Sequence, residues 1–215
     1  MIPSAIYLVR HGESAANLDE GVYASVPDHL IPLTPRGWRQ SEATGAWLAE
    51  RAAAPVLLWH STSLRTAQTF EGLRRGGLRT ETVRHSPLLR EQELGGALDT
   101  PDLAAQAAHL QAVIGKFHLR LPGGESRADV FLRVTVWMDE VWRAFRDERR
   151  PIGSVVVVTH GVTLRMLQGR WMHWDLTRLQ TEVRPANGGV CMLEHTPEAS
   201  HPWTDRGQVF APDVS

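Results

Sequence analysis

Leu8-Val9-Arg10-His11-Gly12-Glu13-Ser14-Ala15-Ala16-Asn17 sets an Arg-His-Gly triplet at the exit of an apolar run, and this junction decides how the chain is read. The preceding Ala5-Ile6-Tyr7-Leu8-Val9 reads as a short strand buried on both faces. Open parallel sheets present their ligand-binding groups outside the carboxyl ends of the strands, which is where Arg10 and His11 fall. A cation and an imidazole at such an edge suggest an anion site. Far along the chain, Ser154-Val155-Val156-Val157-Val158-Thr159 leads straight into His160-Gly161 and repeats the arrangement.

Between these junctions the pattern alternates. Thr34-Pro35 opens a helix in the cap-then-proline order, expected to run to about Ala53. Val56 to Trp59 is a second strand, Ser63 caps a helix carrying Arg65, and Thr80 to Val83 is a weaker strand candidate. Ala104 to Ile114 suits a helix. Another begins at Glu125 or Ser126, with Val130, Val134, Trp137, Met138, Val141, Trp142 and Phe145 on one face, and stops near Arg149-Arg150-Pro151. Val162 to Trp171 is a helix, Val190 to Glu194 a last strand, and 196–215 a polar tail. Strands alternating with helices predict an α/β, three-layer sandwich in one domain over 1–215, with a mostly parallel central sheet and helices on both faces. Such a sheet gathers Arg10, His11, Arg65 and His160 at one edge.

Composition narrows the partners. With 23 Lys+Arg against 24 Asp+Glu the net charge is −1, so no global field calls for nucleic acid or an anionic membrane. Affinity for phosphate must be local. The single cysteine, Cys191, excludes an intrachain disulfide and a cysteine-based zinc cluster. Met1-Ile2-Pro3 offers no basic start for a signal peptide, and no run approaches the roughly 18 apolar residues of a spanning helix. The expectation is a cytoplasmic protein.

The two strand-His-Gly junctions, with Ser61-Thr62-Ser63-Leu64-Arg65-Thr66-Ala67-Gln68-Thr69 after the second strand, resemble the histidine phosphatase superfamily, the phosphoglycerate mutase-like fold. The resemblance runs from about Ile6 to about Leu193. Val22 to His29, Leu89 to Gly95 and Pro122 to Val130 place the likeness in the shorter, phosphatase-like branch. It implies that His11 accepts phosphate, that Arg10, Arg65 and His160 line the pocket, and that Asn17 and the backbone near Gly161 contact phosphate. It implies an acid-then-base role for Glu91, since the family's Glu is followed after three intervening residues by Gly, as in Glu91-Gln92-Glu93-Leu94-Gly95. It also allows a homodimer paired through an edge strand. Thr62 departs from the family, which has Pro there, and puts the fine positioning of Arg65 in question.

The chemistry can be argued from the residues themselves. A phosphate monoester carries close to two negative charges, so binding it without metal requires guanidinium forks such as Arg10 and Arg65. A neutral imidazole is a competent nucleophile at pH 7, which fits His11, while a cationic His160 would stabilise the transferring group. Alkoxides leave poorly, so an acid must stand near the ester oxygen. Glu91 is the choice and Glu93 the rival. No cofactor and no metal is expected, since no Asp/Asn/His cluster accompanies the two histidines. The expected function is metal-independent hydrolysis of a small phosphomonoester. Mutase-type transfer is the alternative, less favoured because only 69 residues separate Glu91 from His160. A phosphate-binding module is the third reading. Tyr23, His29 and the loop from Gln92 to Asp102 are expected to form the wall, a lining that favours a small monoester over a polyphosphate.

Overall fold

Apolar runs become the middle of a six-stranded sheet in the order β3-β2-β4-β1-β5-β6. The strands are β1 (Ala5–Arg10), β2 (Val56–Ser61), β3 (Thr82–Ser86), β4 (Ser154–Thr159), β5 (Val190–His195) and β6 (Trp203–Phe210). This computed structural model describes residues 2–98, 100–147, 149–181, 184–198, 200 and 202–214. β4 pairs in parallel with β1 and β2, and β2 in parallel with β3, while β5 and β6 add antiparallel at the far edge. The mostly parallel sheet of the sequence reading is therefore present.

Period-two alternation divides the core into two layers. Ile6, Leu8, Leu57, Trp59, Val155 and Val157 face one side, under α5 (Arg127–Arg146) and α6 (Gly161–Trp171). Tyr7, Val9, Val56, Leu58, Val156 and Val158 face the other, with Leu48 and Leu73 from α2 (Pro35–Ala49) and α3 (Leu64–Arg75). α5 buries the stripe read from sequence, except that Trp142 is half-buried and stacks on Trp171 at 5.2 Å. Ser126 is its cap, its hydroxyl accepting from Asp129 N–H in a capping box. The remaining helices are α1 (Ala15–Leu18), α4 (Pro101–Ile114) and α7 (Leu176–Thr181). Among the described residues no helix is long and apolar enough to cross a membrane.

Two expectations are corrected. α2 stops at Ala49, not Ala53, because Arg51 and Ala52 both turn their amides back onto the Leu48 carbonyl. Ser63 precedes α3 as expected, and Thr62 is exposed, so the position where the family has proline bears no packing load. The supposed polar tail contains β6, which closes the sheet on β5 with register shifts along the pair. An edge strand pairs on one side only and needs little apolar surface, so its sequence alternates weakly.

Candidate active site

Strand register brings the two histidines together. Arg10 pairs with Thr159 across β1 and β4, His11 N–H donates to the Thr159 carbonyl at 2.9 Å, and the His11 and His160 rings lie 5.2 Å apart. The loop after β1 is fastened by its amides: Gly12 N–H to Thr69 Oγ1 at 3.1 Å and Glu13 N–H to Gln40 Oε1 at 2.8 Å. Glycine is required at this crossing, since a Cβ on Gly12 would fall 2.3 Å from the Gly37 carbonyl oxygen and one on Gly37 2.0 Å from that of Glu13. Glu13 braces the loop, accepting from Thr34 Oγ1 at 2.8 Å and Arg36 at 3.2 Å.

Both imidazoles are neutral. His11 Nδ1 lies 2.7 Å from the Gly12 carbonyl, which can only accept, so Nδ1 carries the proton and Nε2 the lone pair. His160 Nδ1 accepts from Arg65 Nε at 3.2 Å, and Nε2 therefore carries the proton it donates to Ser61 Oγ at 2.9 Å. This corrects the expectation of a cationic His160, since a guanidinium cannot accept. Burial first, then Arg65, holds both histidines well below the ordinary value.

Stability should depend on pH accordingly. Below about pH 6.5 the unfolded chain protonates these two histidines and the native state does not. Stability is full above that value and falls as the pH drops towards the depressed native values, by up to about 1.4 kcal/mol per pH unit for each histidine. Urea unfolding at pH 6.5 and 5.5 should show a slope that is smaller by about one group's share in His160→Gln. An unchanged slope would mean that His160 is protonated in the native state.

The arginines differ in their commitments. Arg10 Nη1 donates to the Pro185 carbonyl at 2.7 Å, and its buried Nε has no acceptor among the described residues. Arg65, 3% exposed, spends Nη1 on the Asp28 carbonyl at 2.5 Å and Nη2 on the Asp28 carboxylate at 3.0 and 3.1 Å. Sequence reasoning offered Arg65 as a phosphate ligand. The structure gives it the carboxylate partner and a place in the cavity wall together. Asn17 Oδ1 accepts from Ser14 N–H, Ser14 Oγ and Asn187 Nδ2, which orients its amide at the cavity and leaves its own Nδ2 uncommitted. Gly161 begins α6 directly after His160.

Glu91 also sits at the start of α6, accepting from Val162 N–H at 3.1 Å and Thr163 N–H at 3.2 Å. Glu93 is exposed. The segment carrying both is clamped by Glu125, which takes Arg90 at 2.5 Å, Arg133 Nε at 3.0 Å and Glu93 N–H at 3.1 Å. Buried Arg133 then holds the carbonyls of Leu88 at 2.6 Å and Glu91 at 3.1 Å. Gly95 closes the segment at φ +58°, where an added Cβ would lie 2.2 Å from the Pro122 carbonyl oxygen, which explains the glycine of the Glu-to-Gly spacing.

Arg10, His11, Asn17, Arg65 and Glu91 line one cavity of about 520 Å³, whereas fully buried His160, expected in the lining, stands behind the wall against Arg65, and Gly161 is not in the lining either. Tyr23 and the segment from Gln92 to Gly95 form part of its wall as expected, and Asp99 of the same loop lies outside the described residues. His29 is not in the wall, and its neighbour Asp28 is. Sequence reasoning missed three further cations there: Lys116, Arg127 and Arg184. Arg127 follows the Pro-Gly-Gly-Glu-Ser run directly, and that adjacency was the available signal. Elsewhere His60 stacks on Phe70 at 5.6 Å and His195 packs against Trp203 at 4.8 Å, as packing histidines, while His201 lies outside the described residues.

Known proteins resemble this chain in sequence and in fold. The phosphoglycerate mutase-like protein AT74 of Arabidopsis thaliana is 32% identical over 208 residues, covering 90% of this chain and 66% of that protein. The chain thus spans just under two thirds of that relative's length. The broad-range acid phosphatase DET1 of Saccharomyces cerevisiae is 33% identical over 114 residues, covering 52% of this chain and 34% of that one. Among solved structures, the alpha-ribazole phosphatase of Shigella flexneri shares the fold with a TM-score of 0.74 at 21% identity, covering 98% of this chain and 99% of the other. A likeness that runs through both sequence and fold over residues 6–202 makes this chain a member of the histidine phosphatase superfamily, branch 1.

Proposed function

We propose that the chain is a metal-independent phosphomonoester hydrolase that works through a phosphohistidine on His11. The observation that carries this reading is the tautomer of His11: Nδ1–H is fixed on the Gly12 carbonyl, which leaves the Nε2 lone pair to a ring that lines the cavity between two arginines. The phosphate of the substrate binds Arg10 Nε, Arg65, Asn17 Nδ2 and the Gly161 N–H, sharing Arg65 with Asp28 or displacing it. Nε2 attacks phosphorus, the ester P–O bond breaks, and the leaving alcohol takes a proton from the Glu91 carboxyl. Water then attacks the phosphohistidine, the P–N bond breaks, and Glu91 takes the proton of the water. His160 aims Arg65 at the transferring group through Nδ1.

Hydrolysis is favoured over transfer by the size of the cavity, about 520 Å³ against roughly 30 Å³ per water in the liquid, so water has room beside a small substrate. The names of the yeast and Shigella proteins, both phosphatases, point the same way. Mutase-type transfer is the second reading, prompted by the mutase-like plant relative. A lone cysteine buried in β5 suits a reducing compartment, and we place the activity in the cytoplasm. The test is p-nitrophenyl phosphate in EDTA from pH 5 to 8, with enzyme denatured at neutral pH during turnover and mapped for phosphate. Release of inorganic phosphate together with phosphate on His11 is expected. No turnover by the wild type would overturn hydrolysis.

A further inference from the structure

Arg65 is the more committed of the two guanidinium groups at the phosphate end of the cavity. It leaves the first turn of α3 and is 3% exposed. Nε donates to His160 Nδ1 at 3.2 Å, Nη1 to the Asp28 carbonyl at 2.5 Å, and Nη2 to both oxygens of the Asp28 carboxylate at 3.0 and 3.1 Å. Of the five N–H groups of a guanidinium, only the second on Nη1 is then uncommitted. The edge that would fork onto a phosphate carries a carboxylate in its place. Arg10 is the opposite case, with a buried Nε that has no acceptor among the described residues.

Asp28 stands on the less firmly held side of this pair. No residue from Asn17 to Leu30 is buried. Among the described residues, the hydrogen bonds of the segment from Asp19 to Leu30 reach at most four residues along the chain, apart from those of Asp28 to Arg65. The turn Asp28–Leu30 has no side-chain cap, and Leu30 is 50% exposed. Firm anchoring resumes at Ile31, which is fully buried, and at Leu33, whose N–H donates to Gln68 Oε1 at 2.7 Å. When two anions compete for this guanidinium, the carboxylate is therefore the partner that yields. Its side chain is already 38% exposed and turns to water without being drawn from the core. The charge of Asp28 also reaches across the cavity, where the Tyr23 phenol is held above its ordinary value by burial first and then by Asp28.

We propose that Asp28 is an internal competitor for the phosphate on Arg65: a phosphoryl group displaces the carboxylate as it binds, and the carboxylate takes Arg65 back as inorganic phosphate leaves. A phosphate with close to two charges prevails over a carboxylate with one, but part of its attraction is spent on the exchange. The result is weaker retention of the product in a site built on two guanidinium groups. This rests on the phosphatase reading only for the role of Arg65 as a phosphate ligand.

Calorimetric titration with inorganic phosphate should compare the wild type with Asp28→Asn and Glu20→Gln. Asparagine keeps the shape of Asp28 and removes its charge. Glu20 lines the same cavity but is not among the partners of Arg65, so its substitution measures the bare loss of one negative charge from the wall. Asp28→Asn should bind phosphate about 10-fold more tightly than the wild type, and Glu20→Gln less than about threefold more tightly. A crystal structure of the wild type with phosphate should show phosphate on Arg65 and the Asp28 carboxylate turned away. Affinity that is unchanged or weaker in Asp28→Asn would overturn the competition. So would an equal gain in Glu20→Gln, or a phosphate complex in which the Asp28–Arg65 pair persists. Turnover of p-nitrophenyl phosphate by the wild type tests the underlying phosphatase reading separately, so each can fail without the other.

Discussion

His11→Ala is expected to lower kcat for p-nitrophenyl phosphate by about 10⁴-fold or more, while the affinity for inorganic phosphate changes by less than tenfold. The asymmetry follows from what the side chain contributes. The imidazole is neutral, held so by burial and by Arg65, and adds no charge to ground-state binding, which comes from Arg10 and Arg65. Its part in catalysis is the Nε2 lone pair, and alanine has none. The structural cost is limited: one bond to the Gly12 carbonyl is lost, worth about 1 kcal/mol, in a loop still fastened through Thr69 and Gln40. The variant should therefore fold, with unchanged circular dichroism. A variant that keeps more than a tenth of wild-type turnover would remove the nucleophile from the proposal. Wild type without turnover but with the same phosphate affinity would leave a binding module.

Much of this was legible because it rests on strong local signals. Buried parallel strands read as unbroken apolar runs, and β1, β2 and β4 are such runs. Once their order is known, the register of Arg10 with Thr159 makes His11 and His160 neighbours without further information. What stayed hidden depends on contacts between distant segments. The protonation of His160 is set by Arg65, 95 residues away, and the occupation of Arg65 by Asp28, 37 residues away. The extra cations were overlooked for the same reason: Lys116 and Arg184 read as ordinary surface charges until the fold turns them towards one cavity. β6 escaped because an edge strand with a glycine at φ +66° leaves a weak alternating trace. Glu125 could be read as ordering a loop or a helix start, but its partners Arg90 and Arg133, through which it fixes the segment that carries Glu91, could not.

Glu91→Gln is expected to divide the reaction in two. With an alkyl phosphate, whose alkoxide leaves only with a proton, phosphorylation of His11 should slow by about 10²- to 10⁴-fold. With p-nitrophenyl phosphate the leaving group departs without help, so the first step should stay fast while the second, which needs a base to take the proton of water, is slow. Rapid mixing should then show a burst approaching one p-nitrophenol per enzyme, followed by slow turnover, with phosphohistidine accumulating to the same extent. The substitution is not silent structurally. Both carboxylate oxygens now accept amides at the start of α6, and the single oxygen of glutamine leaves one of them unmet, at a cost of about 1–3 kcal/mol. Misfolding would suppress both substrates equally and give no burst, so the burst distinguishes lost chemistry from lost structure. Glu93→Gln, at an exposed position, should give neither burst nor slowing. If the burst appears with Glu93→Gln instead, the acid and base roles pass to Glu93, and the amides of α6 hold Glu91 only as a cap.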